Sequence, residues 1–187
     1  MRKRVLALSG LLALAGCGAA SDNTAPAPSG DVAEGAQTDA AGCGAQETTI
    51  FACRLDNGKR AAVCAPQGGE AEYRYGGPPP ELALKGATWA NAAYSGGGES
   101  QIAFVEGDTR HIVFSRMVRT SFTAGEPNDP AIADGVVIET GGRFGALHLC
   151  SDPGVTPVDY AAAEARIGSP AGELFTEETI RADRPLP

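Results

Sequence analysis

Glu99-Ser100-Gln101-Ile102-Ala103-Phe104-Val105-Glu106-Gly107-Asp108-Thr109-Arg110-His111-Ile112-Val113-Phe114-Ser115 is the stretch on which the fold class turns. Glu99 to Val105 and Thr109 to Ser115 read as strands, Ile102, Phe104, Ile112 and Phe114 supply two apolar faces, and Glu106-Gly107-Asp108 supplies the turn. An antiparallel hairpin follows. Downstream, Val136 to Glu139 and Phe144 to Leu149 flank Thr140-Gly141-Gly142-Arg143, a second unit of the same kind, and Thr120 to Asp134 between them reads as a long surface loop rich in Gly, Pro, Asn and Asp. Upstream, Thr48 to Leu55 and Ala61 to Cys64 flank Asp56-Asn57-Gly58-Lys59. Glu72 to Tyr75 and Leu82 to Lys85 are shorter, and Gly76-Gly77-Pro78-Pro79-Pro80 stands between them, which a paired strand does not run through. Near the end the period changes. Thr156 as N-cap, Pro157 at the first helical position, Asp159 at the third and Gly168 after Ile167 delimit a helix of about ten residues, whose small apolar side chains need a sheet to pack on. The expected fold is mainly β, an antiparallel β-sandwich or barrel-like sheet built of hairpins, with a short C-terminal helix.

The cysteines bear on the register. If Asn57-Gly58 is a two-residue type I′ turn, paired residues have numbers summing to 115, Cys53 lies opposite Ala62, and Cys64 is its diagonal neighbour. Diagonal positions sit about 7 to 8 Å apart, whereas a disulfide wants Cβ atoms about 3.5 to 4.5 Å apart. That disfavours a Cys53–Cys64 bond and favours Cys43 and Cys150 as partners for the two, although four cysteines allow three connectivities. Zinc wants paired ligands two to four residues apart. The spacings of Cys43, Cys53, Cys64 and Cys150 are 10, 11 and 86, so disulfides are expected and no metal.

The chain begins with Arg2, Lys3 and Arg4, then an apolar run from Val5 to Ala15, then small residues around Cys17. This is the plan of a secretory signal, and the run is far short of the roughly 20 residues that cross the hydrocarbon. Leu14-Ala15-Gly16-Cys17 resembles the lipobox of bacterial lipoproteins. The resemblance implies removal of residues 1–16, a diacylglyceryl group on the Cys17 thiol and usually an acylated amine, and so more acyl chains than the single one that anchors only marginally. Gly18 is not the Asp that resembles an inner-membrane retention signal in enteric bacteria, so the expected location is the cell envelope, at the periplasmic face of the outer membrane. Residues 17–42 are small and polar with almost no large apolar group, and read as a lipidated cysteine followed by a disordered tether spanning roughly 25 to 30 Å. Residues 43–187 form the one expected domain, stabilised by disulfides and free of internal repeats. Formal charge is −8, and −11 once the three leader cations are gone. That acidity opposes phosphate backbones, so no nucleic-acid role is expected.

A second resemblance lies in the domain. Glu47 to Cys53 (E-T-T-I-F-A-C), Gly58-Lys59, Val63-Cys64, Tyr73-Arg74-Tyr75-Gly76, Tyr94-Ser95-Gly96-Gly97-Gly98, Ile102-Ala103-Phe104 and Gly107 together resemble a family of small exported bacterial lipoproteins of unknown function. It covers about Cys43 to Cys150, implies export and disulfides, and assigns no catalytic residue.

Candidate sites are few. His111 and His148 read as strand residues, solvated or satisfied in place. No Ser stands in a G-x-S-x-G elbow, disulfides leave no thiol, and scattered carboxylates single out no acid–base pair. Ser95 to Gly98 lacks the Gly-Lys-Ser/Thr of a phosphate loop and is read as conformational. Glu126 to Gly135 has oxygen ligands suited to calcium, but not at EF-hand spacing. Tyr73, Tyr75, Trp89 and Tyr94, with Arg74, Ser95 and Gly96, form the candidate binding surface, set against a core role for the alternate aromatics; Arg74 is expected to be solvated. The reading is a non-catalytic lipoprotein without cofactor that binds an envelope protein or glycan. The alternatives are a relative of the membrane-bound inhibitors of c-type lysozyme, whose Ser-Gly-x-x-Tyr motif Ser95-Gly96 meets only in its first half, and an uncharacterised envelope hydrolase.

Overall fold

The structure is a computed structural model that describes residues 42–125, 127 and 129–183. The expected leader 1–16, Cys17 and all of the expected tether but Gly42 lie outside the described residues. Among the described residues nine antiparallel strands form two meanders: β1 (Glu47–Arg54), β2 (Arg60–Pro66), β3 (Glu72–Gly76) and β4 (Pro80–Leu84) make one sheet in that order, and β5 (Thr88–Tyr94), β6 (Gly97–Glu106), β7 (Thr109–Val118), β8 (Ala131–Thr140) and β9 (Arg143–Leu149) the other. The expected mainly β, sandwich-like class is what is found. Ile50, Phe51, Leu55, Val63 and Tyr73 of the first sheet face Trp89, Ile102, Phe104, Val113 and Val136 of the second in one buried core, with Ala163 of the helix closing one side. Each large apolar side chain buried there contributes roughly 1.5 to 3 kcal/mol.

The hairpin of β6 and β7 pairs as its alternation dictates, Ile102 with Val113 and Phe104 with His111, and its two faces go to different layers. Ile102 and Phe104 enter the inter-sheet core, while Ala103, Ile112 and Phe114 lie on the outer face under Phe175 and Ala182.

The β1–β2 register differs by one residue from the sequence expectation. Cys53 pairs with Ala61, and the numbers sum to 114 between Phe51 and Arg60. The turn has three residues rather than two: Leu55 N–H donates to Lys59 O at 2.7 Å, Gly58 takes φ of +80°, and Asn57 Oδ1 accepts from Lys59 N–H at 3.0 Å. A type I turn closed by a glycine in the left-handed region is the next most common hairpin connection, and here the asparagine side chain satisfies the N–H that it would otherwise strand. Cys53 therefore belongs to the inner face with Phe51 and Leu55, and Cys64 to the outer face with Ala52 and Ala62. They cannot bond, for a firmer reason than diagonal spacing. The disulfides are Cys43–Cys64, with Cα atoms 5.5 Å apart, and Cys53–Cys150, with Cα atoms 5.7 Å apart.

Three other expectations are corrected. Thr88–Tyr94, from which only Trp89 and Tyr94 were singled out and no strand was expected, is β5; its core is alanines and an asparagine, which carry little strand signal. Ala131 to Asp134, assigned to the long loop, continue β8 because Val118 to Ser115 of β7 pair with them. The helix, α1 (Tyr160–Ile167), starts later than expected: Thr156 exchanges both backbone hydrogen bonds with Ala52, so the cap passes to Asp159, whose Oδ1 accepts from Ala162 N–H at 3.0 Å. Gly168 ends it as expected.

Two segments cover sheet edges that would otherwise invite pairing. Residues 150–159 run along β1, with Ser151 N–H to Arg54 O at 2.8 Å and Asp159 N–H to Ile50 O at 2.9 Å. Ala171 N–H donates to Trp89 O on the edge of β5 at 2.7 Å.

Candidate functional site

The residues nominated from sequence separate into three places. Tyr73 and Trp89 are interior: Tyr73 stacks 5.5 Å from Phe104, and Trp89 Nε1–H donates to Gly168 O at 2.5 Å. Neither faces a ligand. Arg74 and Tyr75 are partly buried on the first sheet, beside a cavity of about 190 Å³ walled by Pro78 to Pro80. Arg74 is not solvated as expected. Its Nη1 and Nη2 donate to the two oxygens of Glu47 at 2.6 and 2.7 Å, and its Nε donates to Glu72 at 3.4 Å. This fork-to-fork pair holds the Glu47 carboxyl below its usual range. All three guanidinium nitrogens donate to these carboxylates, so Arg74 is committed to an ion pair within the sheet. Tyr75 Oη accepts from Asn57 Nδ2 at 3.0 Å.

Tyr94, Ser95 and Gly96 lie at the far end of the second sheet, where β5 turns into β6. Tyr94 pairs with Gly97, so Ser95 and Gly96 are the turn, and Gly96 has φ of +87°. A Cβ on Gly97 would lie 2.0 Å from Met117 O, so the glycine run serves positive φ and close approach, as read from the sequence. The turn borders an open cleft of about 790 Å³, lined by Tyr94, Ser95, Glu99, Arg116, Phe122 and Ile180 among others. This cleft is the larger of the two cavities that border the nominated residues.

Glu99 sits at its base and is only 3% exposed. Tyr94 Oη–H donates to Glu99 Oε2 at 2.8 Å, and Gln101 Nε2 donates to Oε1 at 2.6 Å. Arg116 Nε lies 3.3 Å from Oε2 as an ion pair outside hydrogen-bonding geometry, and the same guanidinium reaches Asp183. Partial burial first, and then Glu99, push the Tyr94 hydroxyl up to about 12, so it is a donor throughout the physiological range. Phe122 is 78% exposed, with the Arg119 guanidinium 5.8 Å from its ring centroid. The cleft thus offers aromatic area, cations and carboxylates, among them Glu99, whose two oxygens each accept a hydrogen bond from a fixed donor, an arrangement suited to orienting a bound surface.

The polar groups beneath it were not foreseen. Gln101 is fully buried; its Oε1 accepts from Phe175 N–H at 2.8 Å and Thr176 N–H at 3.2 Å, and its Nε2 donates to Thr176 O at 2.8 Å. Thr176 Oγ1 donates to Glu139 Oε1 at 2.5 Å. These contacts span more than thirty residues of sequence, and alternation alone puts Glu99 and Gln101 on a solvent face.

Neither imidazole lines the cleft. His148 Nδ1 lies 3.2 Å from Asp56 Oδ1, satisfied as expected. His111 is mostly buried 5.6 Å from the Tyr73 ring, its Nδ1 has no hydrogen-bond partner among the described residues, and burial pushes its pKa down. Cys43, Glu47 and Cys64 bring donor atoms within 4.8 Å of one another, but both sulfurs are in the disulfide and Glu47 is held by Arg74. The acidic loop read for calcium includes Glu126 and Asn128, which lie outside the described residues. No family model, no curated protein and no solved structure matches the chain.

Proposed function

We propose that this chain is an exported bacterial lipoprotein, held in the cell envelope by lipid on Cys17, whose β domain is a non-catalytic module that binds an envelope protein or glycan. The observation that carries the reading is Leu14-Ala15-Gly16-Cys17 behind a cationic start and a short apolar run. Two disulfides in the folded part suit an oxidising compartment. Among the described residues no helix is long and apolar enough to cross a membrane, so attachment falls to the lipid. A Glu99 carboxylate that accepts from fixed donors on both oxygens, in a cleft with no imidazole in its described lining, favours binding over chemistry. Fractionating cells that express the chain or its Cys17→Ala variant tests this. The unaltered chain is expected in the membrane fraction and the variant in the periplasmic extract; equal partition of the two counts against the anchor. A second reading, inhibition of lysozyme, is favoured by the turn position of Ser95-Gly96 beside Tyr94. Unimpaired cell-wall lysis with micromolar chain present disposes of it.

A further inference from the structure

The outer face of the first sheet carries two arginines that the fold leaves unpaired. Arg54 of β1 stands directly opposite Arg60 of β2, and alternation puts both on the face of Ala52 and Ala62. Directly opposite residues have Cβ atoms about 4.5 to 5.5 Å apart, and like charges placed there repel. Lys59, Arg74, Arg110, Arg116 and Arg181 each meet a carboxylate. The side chains of Arg54 and Arg60 have no hydrogen bond or ion pair among the described residues. The nearby acids turn to other partners: Asp152 accepts from Arg54 backbone N–H at 3.3 Å, Glu81 pairs with Lys59, and Glu47 pairs with Arg74. Acidic residues outnumber Lys and Arg by 23 to 15, so no shortage of carboxylates accounts for the unpaired cations.

Arg60 also borders a cavity. It is half-buried beside the space of about 190 Å³ walled by Pro78, Pro79 and Pro80, with Ala62 and glycines in the rest of the lining. An apolar cavity of about 150 Å³ holds a benzene ring, so this one has room for a ring-sized body and little more. Arg74 lines it too, but Glu47 meets that charge on both oxygens, so the unmatched charge at the cavity is that of Arg60. A cation placed there adds repulsion. A neutral molecule leaves the repulsion between Arg54 and Arg60 as it was. An anion relieves it, and a guanidinium fork suits the geometry of carboxylate and phosphate.

We propose that this cavity binds a small organic anion, its carboxylate or phosphate group held by Arg54 and Arg60 and its ring-sized apolar body against the three prolines. The site lies on the first sheet and shares no lining residue with the Tyr94 cleft. Amide NMR of the full chain in non-ionic detergent, titrated with phenyl phosphate, benzoate, inorganic phosphate, benzyl alcohol and benzylammonium, tests it. Phenyl phosphate and benzoate should shift the amides of residues 60, 62, 76 and 77 saturably, with Kd on the order of 1 mM or below. Inorganic phosphate and benzyl alcohol each lack one half of the ligand and should bind about tenfold more weakly or worse, and benzylammonium not at all. Arg60→Gln and Arg54→Gln should each weaken phenyl phosphate about tenfold. Arg143→Gln removes an arginine that is also unpaired among the described residues, but on the second sheet, and should change nothing. Unmoved amides in β7 and β8 show that each variant is folded. The proposal is overturned by no saturable shift at those four amides, by benzyl alcohol matching benzoate, by inorganic phosphate matching phenyl phosphate, or by equal weakening in Arg143→Gln.

Discussion

The outer faces of the two sheets are covered in opposite ways. On the first, the cover is covalent: Cys43–Cys64 lies over Ala52 and Ala62, four small residues packed with no exposed atom to speak of. On the second, the cover is the segment 173–183, held by Gln101, Glu139, Arg110 and Arg116 through hydrogen bonds and an ion pair, with Phe175 and Ala182 the apolar contribution. The disulfide constrains the unfolded chain and does not itself titrate. The polar side depends on each partner being present, because a buried group that loses its partner costs more than the bond contributed. The open cleft beside Tyr94 is on the polar side, with Thr176, Thr179 and Ile180 of the covering segment in its lining.

The comparison breaks most easily at the disulfides. Replacing Cys53 and Cys150 together by alanine removes a closure of 97 residues and should cost roughly 4 to 5 kcal/mol in chemical denaturation, against about 3 kcal/mol for Cys43 with Cys64, whose separation is 21. Next in size is Gln101→Leu, which strands the amides of residues 175 and 176 and should lower stability by about 2 to 4 kcal/mol. Hydrogen exchange sharpens that result: protection should vanish at 175 and 176 while persisting at Ala52 and Thr156, across the molecule. Asp159→Ala removes the helix cap and should cost about 1 kcal/mol on either unfolding probe.

The smallest effects are those of pH. Glu47 has a folded pKa held below its ordinary 4.5, so its contribution is present above that value and is lost as the pH falls through the lowered one. Asp134 is the reverse: burial pushes its folded pKa up from 3.8, though a Ser115 hydrogen bond opposes this, so ionisation costs stability as the pH rises through the raised value. Melting curves of Glu47→Gln and Asp134→Asn between pH 3 and 7 should therefore both approach the parent in acid, where the carboxyls are protonated, and depart from it in opposite directions at neutral pH, the first less stable and the second more stable than the parent.

How much was legible follows the range of the contacts. The β6–β7 hairpin was readable because Ile102, Phe104, Ile112 and Phe114 alternate around a local turn. The β1–β2 hairpin was readable but misregistered, since the choice between two and three turn residues depends on Asn57 folding back onto Lys59 N–H. β5 was missed because Ala90, Ala92 and Ala93 carry no strand preference, and only pairing with β6 makes them one. Of the candidate site, Tyr94, Ser95 and Gly96 were named from sequence, while Glu99, Gln101 and Arg116 were not, because their partners at 176 and 183 are far along the chain. Tyr73 and Trp89 illustrate the converse: an aromatic with a polar tip reads the same whether its body lies at a surface or in a core.

Mass spectrometry of the protein recovered from membranes of its native cell tests the central claim most directly. An amino-terminal peptide beginning at Cys17 and carrying a diacylglyceryl group with a further acyl chain is the predicted result. An unacylated Cys17, with the chain wholly in the aqueous phase after detergent partition, would contradict it.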